Sequence, residues 1–209
     1  MKIRGFAEQI QKIVAGGNVS PDFPFYEREF MVALGQARDY LINKYTFQNA
    51  KDGEFAIAPE FLKPFRNREI LWDSELDLYY SELPVTVVGG LPRDMGVYFV
   101  SFQKGQDKSF VRIPSSGLSL FNDQIGNLGS RRGFMLESGR IYYKGITENE
   151  FVNKAKVLMK LIPTGDQYGF DDDVPIPGDM QFEAIELVSG LYMKALQIPQ
   201  DTINDTNKQ

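Results

Sequence analysis

A chain of 209 residues with no His and no Cys lacks the commonest general base, the commonest metal ligand and the best nucleophile at neutral pH, which removes Ser–His and Cys–His chemistry and any disulfide scaffold. A net charge of −5 and a pI near 4.9 argue against nucleic-acid binding as the main function, since Arg131-Arg132 is the only adjacent basic pair of note. Hydrophobic residues make up 43% and aromatics 13%, enough for a sizeable core, while no apolar run approaches the ~18 residues of a membrane span and no apolar stretch follows Met1-Lys2-Ile3-Arg4 as a signal peptide would need.

Residues 2–15 have the spacing of a short amphipathic helix, with Ile3, Phe6, Ile10, Ile13 and Val14 on one face and Gly16-Gly17 as its stop. After the turn Ser20–Pro24, a second helix is predicted over 25–45, with Phe30, Leu34, Ala37 and Leu41 as its stripe and Glu27, Arg28, Gln36 and Arg38 elsewhere on it. The two make an αα-hairpin. Residues 46–82 mix charge with Phe55, Phe61, Phe65, Trp72, Tyr79 and Tyr80. Pro59 and Pro64 break the stretch, which reads as an irregular arm with a strand or helix near 69–80. Such aromatics fit interface anchors better than a sugar or base platform.

From Leu83 the period becomes that of strands, expected at 85–88, 97–102, 109–113, 141–146 and 155–162 and separated by Pro, Gly and Asp turns. Asn122–Arg140 carries Gly126, Gly129, Gly133 and Gly139 and reads as a long flexible loop. A connector follows with the acidic run Asp171-Asp172-Asp173. The last helix is then expected from an N-cap at Asp179, with Phe182, Ile185, Val188 or Ser189, Tyr192 and Leu196 on one face, and Pro199 ends it. The expected fold is α+β: an N-terminal helical hairpin, an antiparallel β-sandwich or small barrel, and a C-terminal helix packing on the N-terminal helices. The divisions are 1–82 (helical part with irregular arm), 83–165 (β-domain), 166–200 (connector and helix) and 201–209 (flexible tail).

No motif carries chemistry. The Asp171–Asp173 run could offer oxygens to Mg²⁺ or Ca²⁺, but adjacent carboxylates rarely converge on one ion and the calcium-loop spacing is absent, so a solvated connector is the better reading. Neither Gly16-Gly17 nor Gly89-Gly90 lies in a phosphate-binding motif. Asp73, Glu75 and Asp77 alternate with apolar residues like the wet face of a strand or short helix, and Glu183 and Glu186 like an exposed helix face. Their spacing leaves open paired carboxylates of a glycosidase type, or an acidic and aromatic carbohydrate-binding module, as the alternative function. The expectation is of no enzyme, no cofactor and no metal.

The order of elements, from "IRGFAEQIQKIVAGGNVS" through "LPVTVVGGLPRDMGVYFVSF" to "DDDVPIPGDMQFEAIELVSGLYMKAL", resembles the neck proteins of tailed bacteriophages. It is most similar to the adaptor or ring proteins under the portal of short-tailed phages, including crAss-like phages of Bacteroidota. The motifs that carry this are Pro175-x-Pro177-Gly178-Asp179 at the entry to the last helix and the Leu91-Pro92 turn. The resemblance implies a virion structural protein, assembled in the bacterial host cytoplasm as a homo-oligomeric ring of about twelve copies. Its partners would be the portal and neighbouring neck or tail proteins, with no membrane involved. DNA would pass through the channel without specific binding, and an acidic chain suits such a channel. In such a ring Arg131, Arg132, Phe134 and Leu136 of the loop are expected to meet a neighbour, with its Asp171, Asp172 and Asp173 offered to the two arginines.

Overall fold

The computed structural model describes residues 2–53, 57–104, 108–113, 132–154 and 156–197. The chain divides into a helical unit, Met1–Ile42 with Tyr168–Gln209, and a β unit, Asn43–Gln167. The architecture is α+β, with the C-terminal helix packed on the N-terminal helices.

In the helical unit, α1 spans Ile3–Val14 and buries Ile3, Phe6, Ala7, Ile10 and Val14. Ile13, expected on that stripe, is exposed. The helix ends in a Schellman motif: Gly17 N–H donates to Lys12 O (2.8 Å) and Gly16 N–H to Ile13 O (3.2 Å). Both glycines have positive φ, which a side chain would strain. Helix α2, Glu27–Lys51, starts in this unit and carries the chain into the β unit. Its buried residues Phe30, Ala33, Leu34, Ala37, Leu41 and Ile42 follow the helical repeat. Arg38, expected off this stripe, lies on it and is 1% exposed.

In the β unit a three-stranded antiparallel sheet has the order β1 (Lys63–Glu69), β8 (Lys156–Leu161), β4 (Val97–Phe102). A five-stranded mixed sheet has the order β2 (Leu71–Asp73), β3 (Leu78–Glu82), β7 (Arg140–Lys144), β6 (Gly133–Glu137), β5 (Val111–Arg112). The β5–β6 pair is parallel and the others antiparallel. The sheets close over one core that includes Val100 and Phe102 of β4, Val157, Met159 and Leu161 of β8, Phe134 of β6 and Ile141 and Tyr143 of β7. No closed barrel forms, so of the two architectures expected the sandwich describes the unit.

Residues 63–82 are therefore no irregular arm. They form three strands of the sandwich, with Ile70 buried at the corner where the chain passes from one sheet to the other. Their aromatics mostly serve the unit's own core: Phe61 is buried, and Phe65 and Tyr79 pack against the cluster. Phe55 lies outside the described residues. The segment 85–88 makes only an isolated bridge, Val87 to Pro163, because its turn-rich flanks leave it no strand partner along its length. A further helix, α3, spans Glu148–Lys154. Thr147 and Glu150 form a capping box, with Glu150 N–H donating to Thr147 Oγ1 (3.3 Å) and Thr147 N–H to Glu150 Oε2 (3.2 Å).

Of the loop expected over 122–140, residues up to 131 lie outside the described residues, and the rest is regular. Gly133–Glu137 is β6, and Ser138-Gly139, both at positive φ, form a two-residue turn into β7 with Glu137 opposite Arg140. Helix α4, Gln181–Gln197, is preceded by a single 3-10 turn, Gly178–Met180, whose N-cap is Pro177 with no side-chain bond. Asp179 is thus in the first turn and not the cap. Helix α4 buries Ala184, Ile185, Val188 and Ser189, whereas Phe182 and Leu196 of the expected stripe face outward.

Candidate interaction surfaces

The helical unit carries two features of note: a connector fixed by a buried cation, and an apolar groove. The connector is held first by backbone. Phe170 O and Asp172 O accept the N–H groups of Arg4 (3.2 Å) and Ile3 (3.0 Å), and Lys2 bridges to Asp173. These amides belong to the first turn of α1, which has no intrahelical acceptor for them. The acidic run thus sits at the positive end of a helix dipole, where carboxylates are favoured. Asp172 Oδ2 accepts Gly169 N–H (2.8 Å), and Asp171 Oδ1 lies 4.0 Å from Arg4 Nη1. All three aspartates are exposed. Among the described residues no group of three carboxylates converges on a cation-sized site.

Arg38 fixes the connector's other end. Its Nη1 meets Asp39 Oδ1 at 2.7 Å, its Nε donates to Pro175 O at 3.4 Å, and its Cζ stands 5.3 Å from the Tyr168 ring. Burial lowers the guanidinium pKa, and the charges of Tyr168 and Asp39 oppose that shift. Burying an arginine is tolerable only with such partners. The sequence marked Pro175–Asp179 as distinctive but not the arginine that holds it, because its partners lie far along the chain.

The groove runs between α2 and α4. Its volume is about 590 Å³, lined by Tyr26, Val32, Ala33, Leu191 and Tyr192 with Arg28, Glu29 and Gln36 at its polar edge. One wall is an aromatic cluster: the Tyr192 ring lies 4.5 Å from Phe30 and 4.7 Å from Phe25, and Phe23 stacks on Phe30 at 6.4 Å. Burial, aided by the Glu29 charge, pushes the Tyr192 pKa up, so its hydroxyl stays neutral. Tyr26, just before α2, is 77% exposed, Val32 of α2 52%, and Leu191 and Phe182 of α4 61% and 76%. Exposed apolar side chains are ordinary one at a time, but several grouped about one groove mark a contact surface.

The residues expected at a subunit interface are dispersed. Phe134 is 3% exposed and belongs to the β unit's core, so its own unit supplies the burial that a neighbour was expected to give. Leu136 is half-buried and lines a second groove with Pro84, Val85, Glu137 and Gly139. Arg132 pairs within the chain with Glu150, its Nε at 3.2 Å from Oε2, and its Cζ stands 5.4 Å from the Phe102 ring. Burial pushes the Glu150 carboxyl up, but hydrogen bonds from Arg132 and Thr147 outweigh it and hold the pKa below the usual range. Arg131 lies outside the described residues.

The remaining acidic candidates are also tied into structure. Asp73 closes the β2–β3 hairpin, accepting the N–H groups of Glu75 (3.0 Å) and Leu76 (3.2 Å) on Oδ1. Tyr142 donates to its Oδ2 at 3.4 Å, and Arg140 Nη1 is 3.7 Å away. Asp73, Glu75 and Asp77 are therefore part of a turn and its flank, not one face of a strand or helix. The Tyr79 ring stacks on Phe151 and meets Trp72 edge-on, each at 4.7 Å. Among the described residues, no helix is long and apolar enough to cross a membrane. The chain matches no family model, and no curated protein is significantly similar to it.

Proposed function

We propose that this chain is a structural virion protein, a subunit of the connector ring between phage portal and tail, and that it works by protein–protein contact. The observation that supports this is the α2–α4 groove with Tyr26, Val32 and Leu191 exposed around it, an apolar surface of the kind that partners cover. Heterologous contacts between copies close a ring, and a groove on one copy that receives a different surface of the next is their simplest form. The residues expected in the sequence to make this contact do not carry the reading, since Phe134 is in the core and Arg132 is paired with Glu150.

Purified particles of the phage that encodes the chain provide the test. The chain is expected in them as a closed ring at the portal vertex by electron microscopy. The double variant Val32→Asp, Leu191→Asp is expected to fold normally and to be lost from the particles. Absence of the wild-type chain from the particles, or its presence as an isologous dimer, refutes the reading.

A further inference from the structure

Helix α4 is apolar round more of its circumference than the helical unit covers. It buries Ala184, Ile185, Val188 and Ser189, yet Phe182, Leu187, Leu191 and Met193 are exposed. Helical phase sorts these four into two flanks. Leu191 follows Phe182 by nine residues (191 − 182), two and a half turns at ~3.6 residues per turn, so the two stand on opposite sides of the helix. Leu187, four residues before Leu191, shares its side. Met193, eleven residues after Phe182 (193 − 182) and about three turns on, returns to the Phe182 side. Leu191 lines the α2–α4 groove, whereas Phe182 stands 76% exposed on the far flank.

The free charges of the two flanks are opposite in sign. At the groove, Glu29 is engaged by its own chain, its Oε2 accepting Tyr26 N–H at 2.8 Å. Arg28 at the same edge is exposed, as is Lys194, one turn beyond Leu191. Phe182 has Asp179 in the turn before it and Glu186 one turn after it, and both are exposed. Among the described residues Arg28, Lys194, Asp179 and Glu186 enter no ion pair.

We propose that the α2–α4 groove of one copy receives Phe182 from α4 of a second copy of this chain, with Glu186 of the incoming helix meeting Arg28 at the groove's edge. This rests on the reading of the groove as a contact between copies and names the surface that fills it. An aromatic side chain entering a groove walled by Tyr26, Val32 and Tyr192 takes apolar surface on both sides out of water. A helix flank laid in an apolar groove is a common mode of recognition, and opposite charges at its edge set the register. Because Phe182 and the groove lie on opposite sides of α4, a copy that fills its neighbour's groove keeps its own open for a third. The contact then repeats head to tail, the heterologous geometry from which rings close.

The chain has no Cys, so introduced thiols report only on their own positions. Purified full chains carrying Arg28→Cys and Glu186→Cys are mixed and treated with a short bismaleimide, and the products are read by gel and by peptide mass. Products joining residue 28 of one chain to residue 186 of another are expected, about tenfold above the cross-linking of either variant alone. The double variant is expected to give a ladder of dimers, trimers and higher species. Adding Phe182→Asp is expected to cut the yield about tenfold with the far-ultraviolet circular dichroism unchanged, as suits so exposed a site. Phe182→Leu, which keeps apolar bulk, is expected to retain most of the yield and so separates a lost contact from a lost fold. No 28–186 product, an equal yield from either single variant alone, or a yield that Phe182→Asp leaves unchanged each overturns the proposal. A ring at the portal without the 28–186 product overturns this contact and leaves the ring reading standing. The product formed by a chain absent from the particles overturns the virion placement and leaves this contact standing.

Discussion

Among the described residues the helical unit buries one charge, Arg38, and leaves an apolar groove open, whereas the β unit buries no charged residue. In the first, Arg38 is sunk among α2 and the connector while Tyr26, Val32 and Leu191 face outward around a groove. In the second, Phe102, Phe110, Phe134 and Tyr143 fill the core while Lys156 and Lys160 of β8 stand exposed. A single net charge of −5 averages these two surfaces away. The contrast has a physical root. A helix long enough to carry the chain from one unit to the other must find its burial from a few neighbours and leaves much of its circumference open. A sandwich turns every second residue of each strand inward and so sorts apolar from charged side chains cleanly.

The comparison breaks most visibly at Arg38. Replacing it with Ala leaves a cavity beside the Pro175 carbonyl and the Tyr168 ring, at an expected cost of about 3 kcal/mol. Chemical denaturation gives the size, and hydrogen exchange gives the place: amides of α1 and of residues 168–176 are expected to open before those of β8. A uniform rise in exchange across both units would show that Arg38 does not act on the helical unit alone.

Gly96 tests the other side. A Cβ there would lie 2.6 Å from Val88 O, which is backbone and cannot swing away. Its own carbonyl accepts Ile162 N–H, and Ile162 O accepts Val88 N–H, both at 2.9 Å. Gly96→Ala is expected to destabilise the β unit by about 2 kcal/mol, with exchange rising first in β4 and β8.

The smallest effect sharpens the role of Arg132. Glu150 is depressed below its ordinary value of 4.5, so its pairing stabilises the fold above that pH and is lost as pH falls through the folded-state value. Glu150→Gln is expected to cost about 1 kcal/mol at pH 7, with the gap to the wild-type chain closing below pH ~4.5. A gap that persists at pH 3 would assign Glu150 a role in packing and not in charge.

Helix periodicity was enough to find α1, α2 and α4, and Gly16-Gly17 to find the stop of the first, because these signals lie within one or two turns of chain. Alternation in Val97–Phe102 gave β4 at its observed bounds, and the Ala155–Ile162 run gave β8. Thr147 and Glu150, at capping-box spacing, are the local signal of α3. What local pattern could not decide was partnership. Gly133–Glu137 looks like loop by its glycines and is a strand because β7 offers it a ladder. Arg38 looks like a surface cation by its charge and is buried because Asp39, Pro175 and Tyr168 together replace water around it. Lys63, Arg66, Lys156 and Lys160 look scattered in an acidic chain and share one sheet because β1 and β8 pair across almost the whole β unit. Hydrophobic spacing is a property of neighbours in sequence, whereas strand pairing and the burial of a charge depend on which distant segments meet, and only the folded chain sets that.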